Sequence, residues 1–117
     1  MKAAVITNNG HVAVNFDCGS EVVIFSCGGD ILRFEKPWQL GELLELLDSH
    51  GVEVLICGGI KKMDYRFFVL NGIEVIPWVR GSEEEVIDGF CGGFLNSPSY
   101  FMPGCFRHRR GRRWRKF

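Results

Sequence analysis

The sequence predicts an α/β fold on a mixed sheet, and three observations carry it. Five short runs rich in β-branched residues, 3–6, 21–26, 31–35, 52–57 and 73–79, have strand character. Beyond residue 36 these runs alternate with segments of helical periodicity. Cys27-Gly28-Gly29-Asp30 supplies a hairpin turn between the second and third runs, because glycine accepts positive φ without steric cost. Right-handed crossovers then make strands one, four and five parallel. The expected sheet is five-stranded, in the order 3-2-1-4-5, with helices on both faces, a ribonuclease-H-like arrangement.

Each element has its own reason. Ala3 to Ile6 is short and uniformly apolar, as in a buried strand. Residues 7–20 are rich in Gly, Asn and Asp and read as a loop, with a short extended piece near His11. Val22, Val23, Ile24 and Phe25 make the second strand, and 31–35 return from the hairpin. Pro37 marks a helix start, where a missing N–H costs nothing. Leu40, Leu43, Leu44 and Leu47 recur at helical spacing, and His50-Gly51 ends that helix. Gly58-Gly59 turns strand 52–57 into a second helix, whose expected buried stripe is Ile60, Met63, Phe67 and Leu70. Asn71-Gly72 is its C-cap. Pro77 cannot donate to a ladder, so strand 73–79 lies at an edge or ends near Pro77. Ser82 with Glu85 forms a capping box for a last helix through about Cys91.

The chain has 117 residues, enough for one domain. Residues 1–96 are expected to form it, and 97–117 to be a Pro/Gly linker and a disordered Arg-rich tail. No apolar run reaches the ~20 residues of a membrane span. The opening segment is too short for a signal peptide, so a cytoplasmic protein is expected. The net charge of zero hides a division. Residues 1–106 carry seven basic and all 14 acidic side chains, a net −7, whereas 107–117 carry +7. Such asymmetry points to a partner.

Five cysteines, Cys18, Cys27, Cys57, Cys91 and Cys105, are spaced without a Cys-x-x-Cys pair. Zinc-ribbon and thioredoxin readings therefore have no support. A disulfide framework is not expected without a secretion signal. Ligands of an open sheet bind beyond the carboxyl ends of its parallel strands. Topology brings the 7–20 loop and Cys57 to that edge and sends Cys27, His50 and Cys91 to the opposite one. Cys18 and Cys57 are thus the pair expected to converge as soft metal ligands, with His11, Asn15 and Asp17 nearby. Gly58-Gly59 would offer backbone N–H groups to anions. Catalysis is not expected. A two-metal nuclease needs carboxylates on its first strand, and Ala3-Ala4-Val5-Ile6 has none. There is no Ser-His-Asp order and no nucleotide-binding loop.

Three runs carry a family likeness: 54–60, Val-Leu-Ile-Cys-Gly-Gly-Ile; 71–75, Asn-Gly-Ile-Glu-Val; and 82–86, Ser-Glu-Glu-Glu-Val. Together they resemble the dinitrogenase iron-molybdenum cofactor biosynthesis family. Asn15-Phe16-Asp17-Cys18 matches the family's His-Phe-Gly-Arg-like loop motif, with Asn15 in place of histidine and Cys18 in place of arginine. Lys61 stands where a glycine follows Ile60. Pro103-Gly104-Cys105 and the basic tail resemble the ends of small family members. The resemblance implies a ribonuclease-H-like fold without catalysis. It also implies binding or carriage of an iron–sulfur or molybdenum–iron–sulfur cluster, or its precursor. Asn15, Phe16, Gly58, Gly59 and Ile60 would line the cofactor, Cys18 and Cys57 would ligate metal, and cofactor-assembly proteins would be partners. Two alternatives stand beside it. One is an anion or nucleic-acid module working through 107–117, where arginines pair with phosphate and Trp114 stacks on a base. The other is a ligand-free partner-docking domain.

Overall fold

A computed structural model describes residues 2–93 of the chain. The linker, Cys105 and the basic tail lie outside the described residues, as does the expected boundary at 96/97. The elements run β1 (Lys2–Asn8), β2 (His11–Val12), a 3-10 turn (Phe16–Cys18), β3 (Glu21–Ser26), β4 (Ile31–Glu35) and α1 (Leu40–Ser49). They continue with β5 (Val52–Ile56), α2 (Lys62–Leu70), β6 (Glu74–Ile76) and α3 (Glu83–Gly92). The sheet has six strands rather than the expected five. Its longer path runs β4-β3-β1-β5-β6, and β2 pairs with β1 off that path. The sixth strand arises because Asn9 and Gly10, at φ 55 and 82, turn the chain back on itself. Val12 then faces Thr7, and His11 faces Asn8.

β1 is parallel to β5 and antiparallel to β3, so the sheet is mixed. Alternation along β1 divides the core. Ala4 and Ile6 face a cluster with Leu43 and Leu47 of α1 and Phe68 of α2. Ala3 and Val5 face the opposite cluster, with Val86 of α3. Both faces of the strand are covered, which is why its apolar run is continuous.

Several boundaries differ from expectation. α1 begins at Leu40 and not at Pro37, because Gln39 is extended (φ −95, ψ 139) and takes the N-cap position. Lys36 still donates its N–H to the Ser20 carbonyl, so the chain there is leaving the sheet. The buried stripe of α2 is also different. Met63 is 81% and Leu70 77% exposed, while Phe68 is fully buried. α2 starts at Lys62, three residues beyond the Gly-Gly turn, and apolar residues occupy more than one of its faces. β6 ends at Ile76, three residues short, because Pro77 has no N–H and Trp78 takes φ 65.

The largest correction is a disulfide, Cys27–Cys91, across 64 residues. Ser26 ends β3 opposite Lys2, the first residue of β1, so Cys27 lies beyond the amino end of β1. α3 runs back to the same end. Sequence spacing gives no sign of a bridge that tertiary packing alone creates. Among the described residues, no helix is long and apolar enough to cross a membrane.

Candidate functional site

The carboxyl ends of β1, β5 and β6 meet two connections, the 9–20 loop and the 57–61 turn. Backbone bonds tie the two together. Gly59 donates its N–H to the Val14 carbonyl (2.7 Å), and Phe16 donates to the Gly59 carbonyl (2.6 Å). Asn15 and Gly59 thereby form a parallel bridge. Glycine at 58 is dictated by this approach, since a Cβ there would sit 2.2 Å from the Ala13 carbonyl oxygen. At Gly59 a Cβ would meet the Trp78 ring at 3.0 Å and the Asn15 Oδ1 at 3.2 Å.

Side chains reinforce the contact. Phe16 is buried and packs edge-on against Phe68, with ring centroids 5.8 Å apart. The Lys36 ammonium lies 4.6 Å from the Phe16 centroid, a cation–π contact. Lys61 reaches Asp17 at 3.3 Å, an exposed pair of small energetic weight. The Asn8 amide donates to the Cys18 carbonyl (3.4 Å) and its oxygen accepts from the Ser20 hydroxyl (3.2 Å).

Ala13, Val14, Asn15 and Phe16 therefore meet the Gly58-Gly59 turn, and Asp17 meets Lys61. Ile60 is half-buried against the core. The two cysteines occupy opposite environments: Cys18 is exposed on the turn, and Cys57 is 0% exposed inside the α1/α2 core cluster. The Cys57 N–H bonds to the Ile76 carbonyl, and its own carbonyl accepts from Val79. The Gly59 N–H, expected to face an anion, is committed to Val14. Among the described residues, no group of three His, Cys, Asp or Glu side chains could hold a metal ion. His11 is exposed, its Nδ1 within 3.3 Å of the Asn9 carbonyl.

Trp78 is the site residue that sequence reasoning missed. Its N–H bonds to the Gly58 carbonyl (2.9 Å), and its φ of 65 is a conformation bulky residues rarely adopt. Pro77 signalled a strand end there, but no pattern announces a left-handed tryptophan. On the α3 side of the sheet, Arg33 of β4 forks onto Glu83, with Nη1 to Oε1 at 2.9 Å, and Glu21 lies 3.6 Å from the same guanidinium.

No protein-family model matches the chain, and no curated protein sequence matches it. Solved structures do. The crystal structure of PH0822 is 25% identical, with a TM-score of 0.70, over 80% of this chain and 92% of that one. A candidate dinitrogenase from Methanocaldococcus jannaschii is 18% identical at a TM-score of 0.62, over 80% and 90% of the two chains. A candidate NifB protein from Thermotoga, described as belonging to the DUF35 family, is 20% identical at 0.64, over 80% and 89%. What these likenesses share with this chain is the fold. Fold and site together define a small α/β domain with a loop pinned over a Gly-Gly turn at the carboxyl ends of parallel strands.

Proposed function

We propose that this chain is a non-enzymatic carrier of an iron–sulfur or molybdenum–iron–sulfur cluster, or its precursor, on a ribonuclease-H-like fold. The cluster is cargo and not a resident cofactor. The observation that carries the reading is the pinned Asn15–Gly59 contact, which holds the exposed Cys18 at the edge where such sheets bind ligands. Among the described residues Cys18 is the exposed free thiol, which suits a carrier, because cargo held by one soft ligand can be passed on. Cys57 keeps the role its burial indicates, packing beneath the turn. The absence of carboxylates from the interior of β1 supports carriage over hydrolysis. The names of the Methanocaldococcus and Thermotoga structures lie in the same chemical area.

The test is anaerobic reconstitution with iron, sulfide and molybdate, read by visible absorption and metal content. Wild type and Cys57→Ser are expected to retain the cluster, and Cys18→Ser to lose it. Equal uptake by wild type and Cys18→Ser would sink the proposal. The charge division favours a second reading, in which the +7 segment 107–117 binds nucleic acid. That binding would weaken steeply with salt and vanish on truncation after Cys105. Binding that survives truncation would exclude it.

A further inference from the structure

We propose that the outer edge of β4 is a docking surface whose occupant is the 94–106 segment of this same chain, added to the sheet as a strand parallel to β4. That segment lies outside the described residues. The edge is separate from the cluster surface and does not rest on that reading. β3 and β1 stand between β4 and β5, and it is β5 that leads into the Gly58-Gly59 turn.

Four observations carry the inference. First, β4 is an edge strand. Among the described residues it pairs with β3 alone. The Lys36 N–H meets the Ser20 carbonyl in the same register as the β3–β4 pairs. Alternation from Lys36 turns the backbone N–H and C=O groups of Ile31, Arg33 and Glu35 to the outer side. Second, the start of this edge is apolar on both faces. Ile31, paired with Phe25, is 51% exposed, and Leu32, paired with Ile24, is 41% exposed. Third, the disulfide fixes where the segment departs. Cys91 lies in the last turn of α3, and its Cα is 5.5 Å from that of Cys27, in the turn leading into β4. Fourth, crossover handedness points to the same edge. β4–α1–β5 and β5–α2–β6 cross the sheet in one direction, with both helices on one face. α3 follows β6 on the opposite face and lies back towards β3 and β4, where Phe90 meets Phe25 and Glu83 meets Arg33. Reversing both face and direction keeps the crossover right-handed, so the next parallel strand belongs beside β4.

The segment has the composition that this place requires. Residues 94–106 include Phe94, Leu95, Tyr100, Phe101, Met102 and Phe106 and carry no charge, unlike the +7 run that follows. Successive strand residues point to opposite faces, so Tyr100-Phe101-Met102 covers Ile31 on one face and Leu32 on the other. Pro98 and Pro103 bracket this run, and proline is accepted on an outermost strand. Residues 94–102 span about 30 Å when extended, more than the ~17 Å of β4, so reach is sufficient. A second copy fits less well, because antiparallel pairing of two β4 strands about their centre sets Arg33 against Arg33.

The experiment is solution NMR on the oxidised full chain. Nuclear Overhauser contacts are expected between the side chains of Tyr100, Phe101 or Met102 and the methyl groups of Ile31 or Leu32. In a mixture of labelled and unlabelled protein, isotope filtering should show these contacts to be within one chain. The Tyr100→Asp, Phe101→Asp variant should speed hydrogen exchange of the Ile31, Arg33 and Glu35 amides at least tenfold. Exchange of the β1 and β5 amides should stay unchanged, which shows that the variant is folded. Absence of the contacts from wild type would overturn the proposal, and so would contacts found only between chains. Unchanged exchange along β4 in a folded variant would overturn it as well.

Discussion

Gly58 and Gly10 are both glycines of the site edge, yet they are required for different reasons. A Cβ at Gly58 would press on backbone, 2.2 Å from the Ala13 carbonyl oxygen and 2.5 Å from that of Val14. At Gly10 nothing lies within 4 Å, but φ is 82. Gly10→Ala is therefore expected to cost about 1–2 kcal/mol of backbone strain and to leave the loop in place. Gly58→Ala should cost more than Gly10→Ala, because the loop must shift away from the turn. Urea denaturation of the two variants, side by side, checks the order. The need for Gly58 was legible as a Gly-Gly turn, but its cause, a carbonyl 45 residues earlier in the chain, was not. Trp78 makes the same point, since its left-handed backbone is held by the Gly58 carbonyl and by packing that no local pattern encodes.

α2 and α3 show two grades of local information. The capping box of α3 was readable because its partners are three residues apart. Ser82 Oγ accepts from the Glu85 N–H (3.1 Å), and Glu85 Oε1 accepts from the Ser82 N–H (3.0 Å). Ser82→Ala should lower stability by about 1 kcal/mol. The Ser82 backbone N–H, and then its hydroxyl, hold the Glu85 carboxyl below its ordinary value of 4.5. A depressed folded-state value means stability present above 4.5 and lost as pH falls through the folded value. Glu85→Gln keeps the box geometry without the charge, so its denaturation midpoint should fall less steeply than that of wild type below pH 4.5. In α2 the apolar residues Met63, Tyr65, Phe67, Phe68, Val69 and Leu70 satisfy more than one helical stripe. Only the sheet beneath selects Phe68. Phe68→Ala is expected to cost about 3–5 kcal/mol. Met63→Ala should change the melting midpoint little, because Met63 is already in solvent.

At the scale of the molecule the disulfide joins the β3–β4 turn to the last turn of α3. It closes a loop of 64 residues, and removing it should cost about 4 kcal/mol by the chain-entropy argument. Denaturation of wild type with and without a phosphine reductant checks this, and the Cys27→Ser, Cys91→Ser variant should match the reduced protein. The charge division acts at this scale too, setting a −7 region of 106 residues against a +7 segment of eleven.

By itself the sequence determined what depends on near neighbours. It specified the α/β class, the parallel relation of β1, β5 and β6, the Leu43–Leu47 stripe of α1 and the cap of α3. It also assigned Asn15 and Gly59 to one sheet edge, because chain direction and crossover handedness leave few alternatives. Tertiary structure alone decided the environment of each cysteine. It buried Cys57, exposed Cys18, and joined Cys27 to Cys91. Periodicity says which residues share a face of an element, but long-range packing decides what that face meets, and a thiol's chemistry depends on what it meets.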